Sequence, residues 1–196
     1  MTEKIAFSPT GDPEADELVR TDPLALLIGM LLDQQISIEL AFTGPLRLSR
    51  RLSERGAHFD AVSIAEFDTA ELETIFATKP ALHRFPASMA RRTQAMCSHL
   101  VDEHDGNADM WSDGPTANTL TARLAALPGF GDEKVKIMTA VLAKRFDVRP
   151  RGWKAAAGAF ADNQPRSVAD MDSDDGRTRV REWKKRQRAE GRTKQQ

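Results

Sequence analysis

The segment at residues 127–131, Leu-Pro-Gly-Phe-Gly, constrains the fold more than any other part of the sequence. Apolar residues recur at helical spacing before it, as Leu120 and Leu124, and after it, as Val135 and Met138. A proline and two glycines between two such segments end the first helix and permit backbone angles that other side chains forbid. The second helix then begins with N–H groups and the positive end of its dipole directed outward, which suits a phosphate.

This segment has two interpretations. An ordinary corner between two helices uses the same proline and glycines. The tighter pattern Leu-Pro-Gly-apolar-Gly, with the small apolar Val135 four residues after Gly131, resembles the hairpin of helix-hairpin-helix DNA-binding proteins. The full pattern favours DNA binding over a purely structural corner.

Length and composition restrict the class of protein. A chain of 196 residues fits one compact domain, or a domain with a lobe built from its two ends. Tyrosine is absent and no clear alternating apolar run is present, so we predict a mostly helical protein. Cys97 is the only cysteine, which rules out a disulfide within the chain and a four-cysteine metal or iron–sulfur site. We therefore expect no cofactor and no metal held by side chains.

The charge distribution matters more than the formal net charge of −1. No segment is long and apolar enough to span a membrane, and the N-terminus lacks the features of a secretory signal, so we expect a cytoplasmic protein. The C-terminus is strongly basic, which is either a solubilising end or a contact with a polyanion. Its basic residues are Arg177, Arg179, Arg181, Lys184, Lys185, Arg186, Arg188, Arg192 and Lys194.

The most apolar part of the chain is followed at once by polar residues. Asp22-Pro23 predicts a helix cap and a proline in the first turn, and residues 24–32 are apolar nearly all round. We predict a buried central helix here. It ends at Asp33-Gln34-Gln35-Ile36-Ser37, where Ser37 can cap a helix that runs to about Arg55. The polar residues form either a solvated helix end or part of a functional site.

Further helices are predicted from caps and apolar spacing. Ser63 and Thr69 resemble the caps of two short helices. A longer helix directs Arg91 and Arg92 outward, either into solvent or toward a nucleic acid. These predicted helices cover residues 64–67, 70–78, about 85–103 and 154–160.

Two segments together resemble a known family. Leu31-Leu32-Asp33-Gln34-Gln35-Ile36-Ser37 is similar to the start of the helical barrel in DNA glycosylases of the helix-hairpin-helix Gly/Pro-Asp superfamily, with Gln-Gln-Ile-Ser similar to the 3-methyladenine DNA glycosylase II branch. Residues 127–131 follow at the distance of that superfamily's hairpin. The resemblance implies an all-α, bilobal fold, with 22–147 as the helical barrel lobe and 1–21 plus 148–196 as the second lobe with the basic tail.

The resemblance also implies where DNA binds. Gln35, with Gln34 beside it, corresponds to the side chain that fills the base stack or contacts the orphan base after a nucleotide is flipped out. The hairpin, Pro128, Gly129, Phe130 and Gly131, corresponds to the segment that grips the DNA backbone. The amides of Gly129 and Gly131 would hold a phosphate, in this superfamily often through a bound monovalent cation. Lys134 and Lys136 are either phosphate contacts or Schiff-base nucleophiles, and their register in the hairpin favours phosphate contacts.

The residues for chemistry depart from the family pattern. Lyase-type relatives carry a nucleophilic lysine two residues after the last hairpin glycine, where this chain has Glu133. The superfamily also requires an aspartate that stabilises an oxocarbenium-like sugar and orients water, comparable to the carboxylates of glycosidases. Asp147 is the candidate, although it comes several residues early, and the matched segment 148–153 has no carboxylate. Asp33 and Glu133 are weaker substitutes.

Three functions follow from these observations. The first is a monofunctional DNA glycosylase of base excision repair that binds duplex DNA as a monomer and flips a damaged base. The second is a catalytically silent relative that only binds DNA. The third is a helical scaffold whose hairpin and basic tail bind a protein or an RNA. Salt dependence separates the third, because DNA affinity falls linearly with log salt at about −0.9 per neutralised phosphate.

Overall fold

The computed structural model describes residues 6–193 and 195. These residues form ten α-helices and two short 3-10 helices and contain no β-strand, which confirms the all-α prediction. Within this part of the chain, no helix has the length and apolarity that crossing a bilayer demands. The chain divides into two compact units. The α-helices are α1 Pro13–Thr21, α2 Pro23–Leu32, α3 Ile38–Ser53, α4 Ala61–Glu66, α5 Thr69–Ala77, α6 Pro86–His104, α7 Ala117–Ala126, α8 Asp132–Arg145, α9 Trp153–Ala157 and α10 Asp174–Ala189.

The N-terminal unit contains Asp12–Met110 and Leu127–Gly129, and therefore helices α1 to α6. Its centre is α2, whose residues from Leu24 to Leu32 are all buried, as predicted for a helix that is apolar all round. Asp22 caps α2 by accepting hydrogen bonds from the N–H groups of Leu24 and Ala25. α2 packs on α3, and α6 packs on α4 and α5.

Two predicted caps in this unit are wrong by a few residues. Asp60, not Ser63, caps α4, and its carboxylate accepts from the Ser63 N–H at 2.7 Å and from the Ser63 hydroxyl at 3.1 Å. Asp68, not Thr69, caps α5. An aspartate is a good N-cap because its carboxylate accepts from the first-turn N–H groups and suits the positive helix end.

The C-terminal unit contains residues 6–11, Trp111–Ala126 and the described residues from Phe130 to 193 and 195. Its centre is α8, which packs on α7, on α9 and on the 3-10 helices Gly158–Ala161 and Val168–Asp170. The predicted lobes, 22–147 and 1–21 with 148–196, have other boundaries than these compact units and stay a prediction.

The basic C-terminal region is partly a structural element. α10 buries Val180 and Trp183, and the guanidinium of Arg166 lies 5.4 Å from the Trp183 ring centre. Arg177 is also buried and donates to the Ser8 carbonyl at 2.9 Å and to the Ser8 hydroxyl at 2.7 Å. Arg177 is therefore held within this unit by its contacts with Ser8. Lys194 lies outside the described residues.

Candidate nucleic-acid interface

The first hairpin glycine is required by the fold. Gly129 has φ +89°, the left-handed region that side chains disfavour. A Cβ atom on Gly129 would lie 2.5 Å from Cδ1 of Leu31, which belongs to the buried helix α2. A side chain at this position would therefore strain the backbone and displace the Leu31 side chain of α2.

The second hairpin glycine is not required by the fold. Gly131 is the N-cap of α8 with φ −80° and ψ 173°, a conformation open to any residue. Open space surrounds the position that its Cβ would occupy. The expectation that both glycines supply special backbone angles is thus correct for Gly129 and wrong for Gly131. Since Gly131 has no side chain, it offers no oxygen to the first-turn N–H groups of α8, and it leaves the approach to them open.

Two lysines follow on the first turns of α8. Lys134 Nζ lies 5.9 Å from the centre of the Phe130 ring, a cation–π contact that joins α8 to the buried hairpin aromatic. Lys136 Nζ forms an ion pair with Asp132 at 2.7 Å, one helical turn earlier. Both ammonium groups lie on the same helix end as Gly131, while Glu133 occupies the position between Asp132 and Lys134.

Gln35 is exposed and has an uncommon backbone conformation. It lies in the turn between α2 and α3 with φ +57°, in the left-handed region where a non-glycine residue is rare. Such conformations persist where the surrounding structure enforces them, and they cluster at functional sites. The sequence predicted the place of Gln35 after a buried helix, and the structure adds this backbone conformation.

Gln34 has a different environment from its neighbour. Its side-chain amide donates to the Leu31 carbonyl at 2.8 Å and lies 3.4 Å from the Met89 sulfur. Its side-chain oxygen accepts from Arg92 at 3.1 Å. Arg92 was predicted only to face outward, and it also holds this glutamine. Gln34 and Gln35 therefore differ, one directed onto the protein and the other exposed.

Phe85 is a candidate site residue that the sequence indicated only as the start of a helix. Its side chain is 44 % exposed, one of two large apolar side chains so exposed among the described residues. The Arg84 guanidinium lies 4.9 Å from the Phe85 ring centre, and the Phe85 N–H bonds to the ring of His83, which also contacts Gln34. Pro86 was the available sequence clue, because a proline restricts the preceding residue to extended backbone and so keeps Phe85 outside the helix.

The carboxylate candidates lie at helix ends. Asp147 follows α8 with φ +57°, and the N–H of Val148 closes the helix end by donating to the Leu142 carbonyl at 3.0 Å. The Asp147 side chain is 86 % exposed and forms an ion pair with Arg149 at 3.3 Å. Asp33 is the half-buried C-cap of α2. Asp147 thus has a structural role at the helix end, and its catalytic role stays a prediction.

A comparison with known protein families identifies the class of protein to which this hairpin and helical fold belong. The family model of the HhH-GPD superfamily base excision DNA repair protein matches residues 28–195. The chain therefore belongs to the HhH-GPD superfamily of base excision DNA repair proteins. Membership implies DNA binding and a glycosylase-like role in repair. Neither the curated proteins nor the solved structures provided a match to this chain.

Proposed function

We propose that the protein is a DNA glycosylase of base excision repair, of the 3-methyladenine DNA glycosylase II type, that acts on duplex DNA as a monomer. Gly131 is the observation that carries this proposal. Its backbone conformation and open surroundings place no demand for glycine, so the missing side chain is best explained by a ligand that approaches the start of α8. Backbone N–H groups at a helix start form a natural phosphate site.

The hairpin also has oxygen atoms that could coordinate the monovalent cation that the family resemblance implies. Among the described residues, no hydrogen bond reaches the carbonyl oxygens of Leu127 and Gly129. Main-chain carbonyl oxygens are suitable ligands for such an ion. These two oxygens would hold the cation, and its charge would attract a DNA phosphate.

The turn between α2 and α3 supports a role in base flipping. Extruding a base leaves a gap in the stack and costs a few kcal/mol. Gln35 is exposed on a turn that is held by hydrogen bonds, so it can fill such a gap with little loss of entropy. Phe85 offers an exposed aromatic ring in the same unit, and an aromatic ring stacks on a base with about 1–3 kcal/mol. We assign Gln35 to the vacated stack and Phe85 to a neighbouring base.

The proposed enzyme is monofunctional. The position of the lyase nucleophile holds Glu133, a carboxylate that cannot form a Schiff base. Lys134 is the adjacent amine, and it lies beside the Phe130 ring at the helix end that we assign to phosphate. Its ammonium form serves this assignment, whereas a nucleophilic lysine has to lose its proton.

A catalytically silent DNA-binding relative is the second candidate. One observation favours it, since the Asp147 carboxylate is 86 % exposed and is paired with Arg149. A carboxylate in bulk solvent stabilises a developing positive charge poorly compared with one in a water-excluded site.

One experiment tests both candidates. Duplex oligonucleotides with single alkylated, deaminated or oxidised bases are incubated with the protein, and alkali reveals abasic sites. A glycosylase releases at least one base, and strand breaks appear only after alkali. Asp147→Asn, which keeps the shape of the side chain, then lowers the rate without lowering DNA affinity if Asp147 acts in catalysis. DNA binding without base release supports the silent relative, and absence of salt-dependent binding to duplex DNA contradicts both candidates.

A further inference from the structure

His83 connects the Gln35 turn to the start of α6. The imidazole is buried, with 1 % of the residue exposed. Its Nε2 lies 2.9 Å from the carbonyl oxygen of Gln34, a residue 49 positions earlier in the chain. Its Nδ1 accepts a hydrogen bond from the Phe85 N–H at 3.0 Å. One ring therefore contacts the segments of both residues that we assign to the DNA base stack.

The two contacts define the proton position on the ring. Nδ1 accepts from a backbone N–H, so it carries no proton. A neutral imidazole then carries its proton on Nε2, which donates to the Gln34 carbonyl. The carbonyl oxygen accepts only from a protonated nitrogen, and the Phe85 N–H needs an unprotonated one. The pair of hydrogen bonds thus fits the Nε2–H tautomer.

The Gln34 carbonyl belongs to the peptide group that joins Gln34 to Gln35. The peptide group is planar, so a hydrogen bond that holds its oxygen also holds the nitrogen of Gln35. The orientation of that plane limits φ of Gln35, which is +57°. Gln34 is held on its other side as well, through its side chain by the Leu31 carbonyl and Arg92. An uncommon conformation of this kind requires such support.

We propose that His83 is a positioning residue, whose Nε2–H holds the Gln34–Gln35 peptide and thereby directs the Gln35 side chain into the base stack. This role rests on the proposed function, because it concerns the residue that we assign to the vacated stack. His83 itself is buried and acts through Gln35. The contact with the Phe85 N–H extends its role to this exposed aromatic residue of the same unit.

Two conservative substitutions separate the two contacts of the ring. In His83→Gln, the amide nitrogen reaches toward the position of Nε2 and can donate to the Gln34 carbonyl. In His83→Asn, the shorter amide places its oxygen near the position of Nδ1, so it keeps an acceptor for Phe85 but has no donor at Gln34. Both variants keep a neutral polar group of similar size, which makes each the control for the other.

The measurement is the ratio of affinities for a duplex with a tetrahydrofuran abasic site and for the same intact duplex. We expect His83→Asn to lower this ratio roughly fivefold or more, as loss of a stacking contact does. His83→Gln should retain most of the ratio. Gln35→Gly should lower the ratio as much as His83→Asn does. The double variant should show no further loss.

Each outcome decides the inference. If the affinity ratio is unchanged in His83→Asn, the role of His83 is overturned. The role of Gln35 in the base stack stands in that case if Gln35→Gly still lowers the ratio. Equal losses in the Gln and Asn variants show that the donor at Nε2 is not the determinant and also overturn it. A wild type without abasic preference overturns the proposed function together with the role of His83. If both variants unfold, imidazole ¹⁵N shifts of the wild type decide, since the inference requires protonated Nε2 and unprotonated Nδ1.

Discussion

Gly129 and Leu31 are packed so closely that a single added methyl group would place its carbon 2.5 Å from the leucine Cδ1. Leu31 has a second connection, because its carbonyl accepts the side-chain N–H of Gln34 at 2.8 Å. One residue at the end of the central helix α2 thus contacts the hairpin and holds the neighbour of Gln35. Gly129 of the hairpin and the turn that carries Gln35 thus both depend on the last turn of α2.

The two hairpin glycines should respond differently to substitution. Gly131→Asp places a good N-cap on α8 and should raise the free energy of unfolding by a few tenths of a kcal/mol. It should also lower DNA affinity about tenfold or more, because the new carboxylate occupies the first-turn N–H groups and repels phosphate. Gly131→Asn caps the helix without the charge and should lose less affinity. Urea unfolding and fluorescence anisotropy with a labelled duplex measure the two quantities.

Gly129→Ala is the structural counterpart in the hairpin. It should lower the free energy of unfolding by about 1–3 kcal/mol through the positive φ and the contact with Leu31.

One outcome for Gly131 would contradict the proposed phosphate site. If the Gly131→Asp protein is more stable and binds duplex DNA as tightly as the wild type, the hairpin is only a structural corner between two helices and the main support for the site is removed.

Gln35 should affect DNA with a gap in the stack more than intact DNA. Gln35→Gly removes the side chain and relieves the left-handed backbone, so the protein should be no less stable than the wild type. Affinity for an abasic duplex should fall by about 1–3 kcal/mol, with a smaller change for the intact duplex. Gln35→Ala removes the same contact and keeps the backbone cost, so it should match Gln35→Gly in binding. Equal losses on the two duplexes would exclude Gln35 from the base stack.

Strand cleavage at abasic sites should be absent. Glu133 occupies the nucleophile position, so incubation with abasic DNA and borohydride should leave no covalent complex on a denaturing gel. The matched gain-of-function variant is Glu133→Lys, which supplies an amine at that position. Trapping by the wild type that is lost in Lys134→Ala would show a Schiff base at Lys134 and make the protein bifunctional.

The basic residues of α10 should divide into two groups. Lys185, Arg186 and Arg188 are exposed, and their replacement by glutamine should weaken duplex binding equally for all lesions and reduce the salt slope by about 0.9 for each lost phosphate contact. Arg177→Gln should instead lower stability by about 1–3 kcal/mol, because the buried guanidinium bonds to Ser8. An unchanged salt slope in the triple variant would show that this end of α10 does not contact DNA.

Cys97 should report unfolding. Burial, together with the nearby Asp60, raises the pKa of its thiol to about 12. The native thiol is therefore protonated at pH 8, and a thiol reagent should react only as fast as the protein opens. Rapid labelling of the native protein would contradict the burial.

The raised pKa of Cys97 also makes the free energy of unfolding depend on pH. The contribution of the protonated thiol to that free energy is complete below pH 8 and declines as the pH rises toward 12, because the folded pKa is the higher one. Cys97→Ala should therefore show a shallower loss of stability between pH 8 and 10.5.

The all-α class and the central helix followed from the sequence because local rules determine them. Residues 24–32 are apolar on every face, which only a buried helix accommodates, and Asp22 and Ser37 cap their helices by contacts within three residues. The hairpin was predictable for the same reason, since Pro128 and Gly129 change the backbone where they stand. The caps of α4 and α5 were misplaced because several adjacent polar residues can all serve as caps.

Only the tertiary structure distinguished residues that look alike in the sequence. Gly129 and Gly131 are two positions apart, yet the positive φ and the close Leu31 side chain disfavour any other residue at the first, while open space surrounds the second. Arg177 begins a predominantly basic run and is nevertheless buried against Ser8, from the other end of the chain. His83 shows no sequence relation to Gln34, 49 residues earlier, because contacts between distant residues arise from how helices pack, which periodicity and capping do not encode.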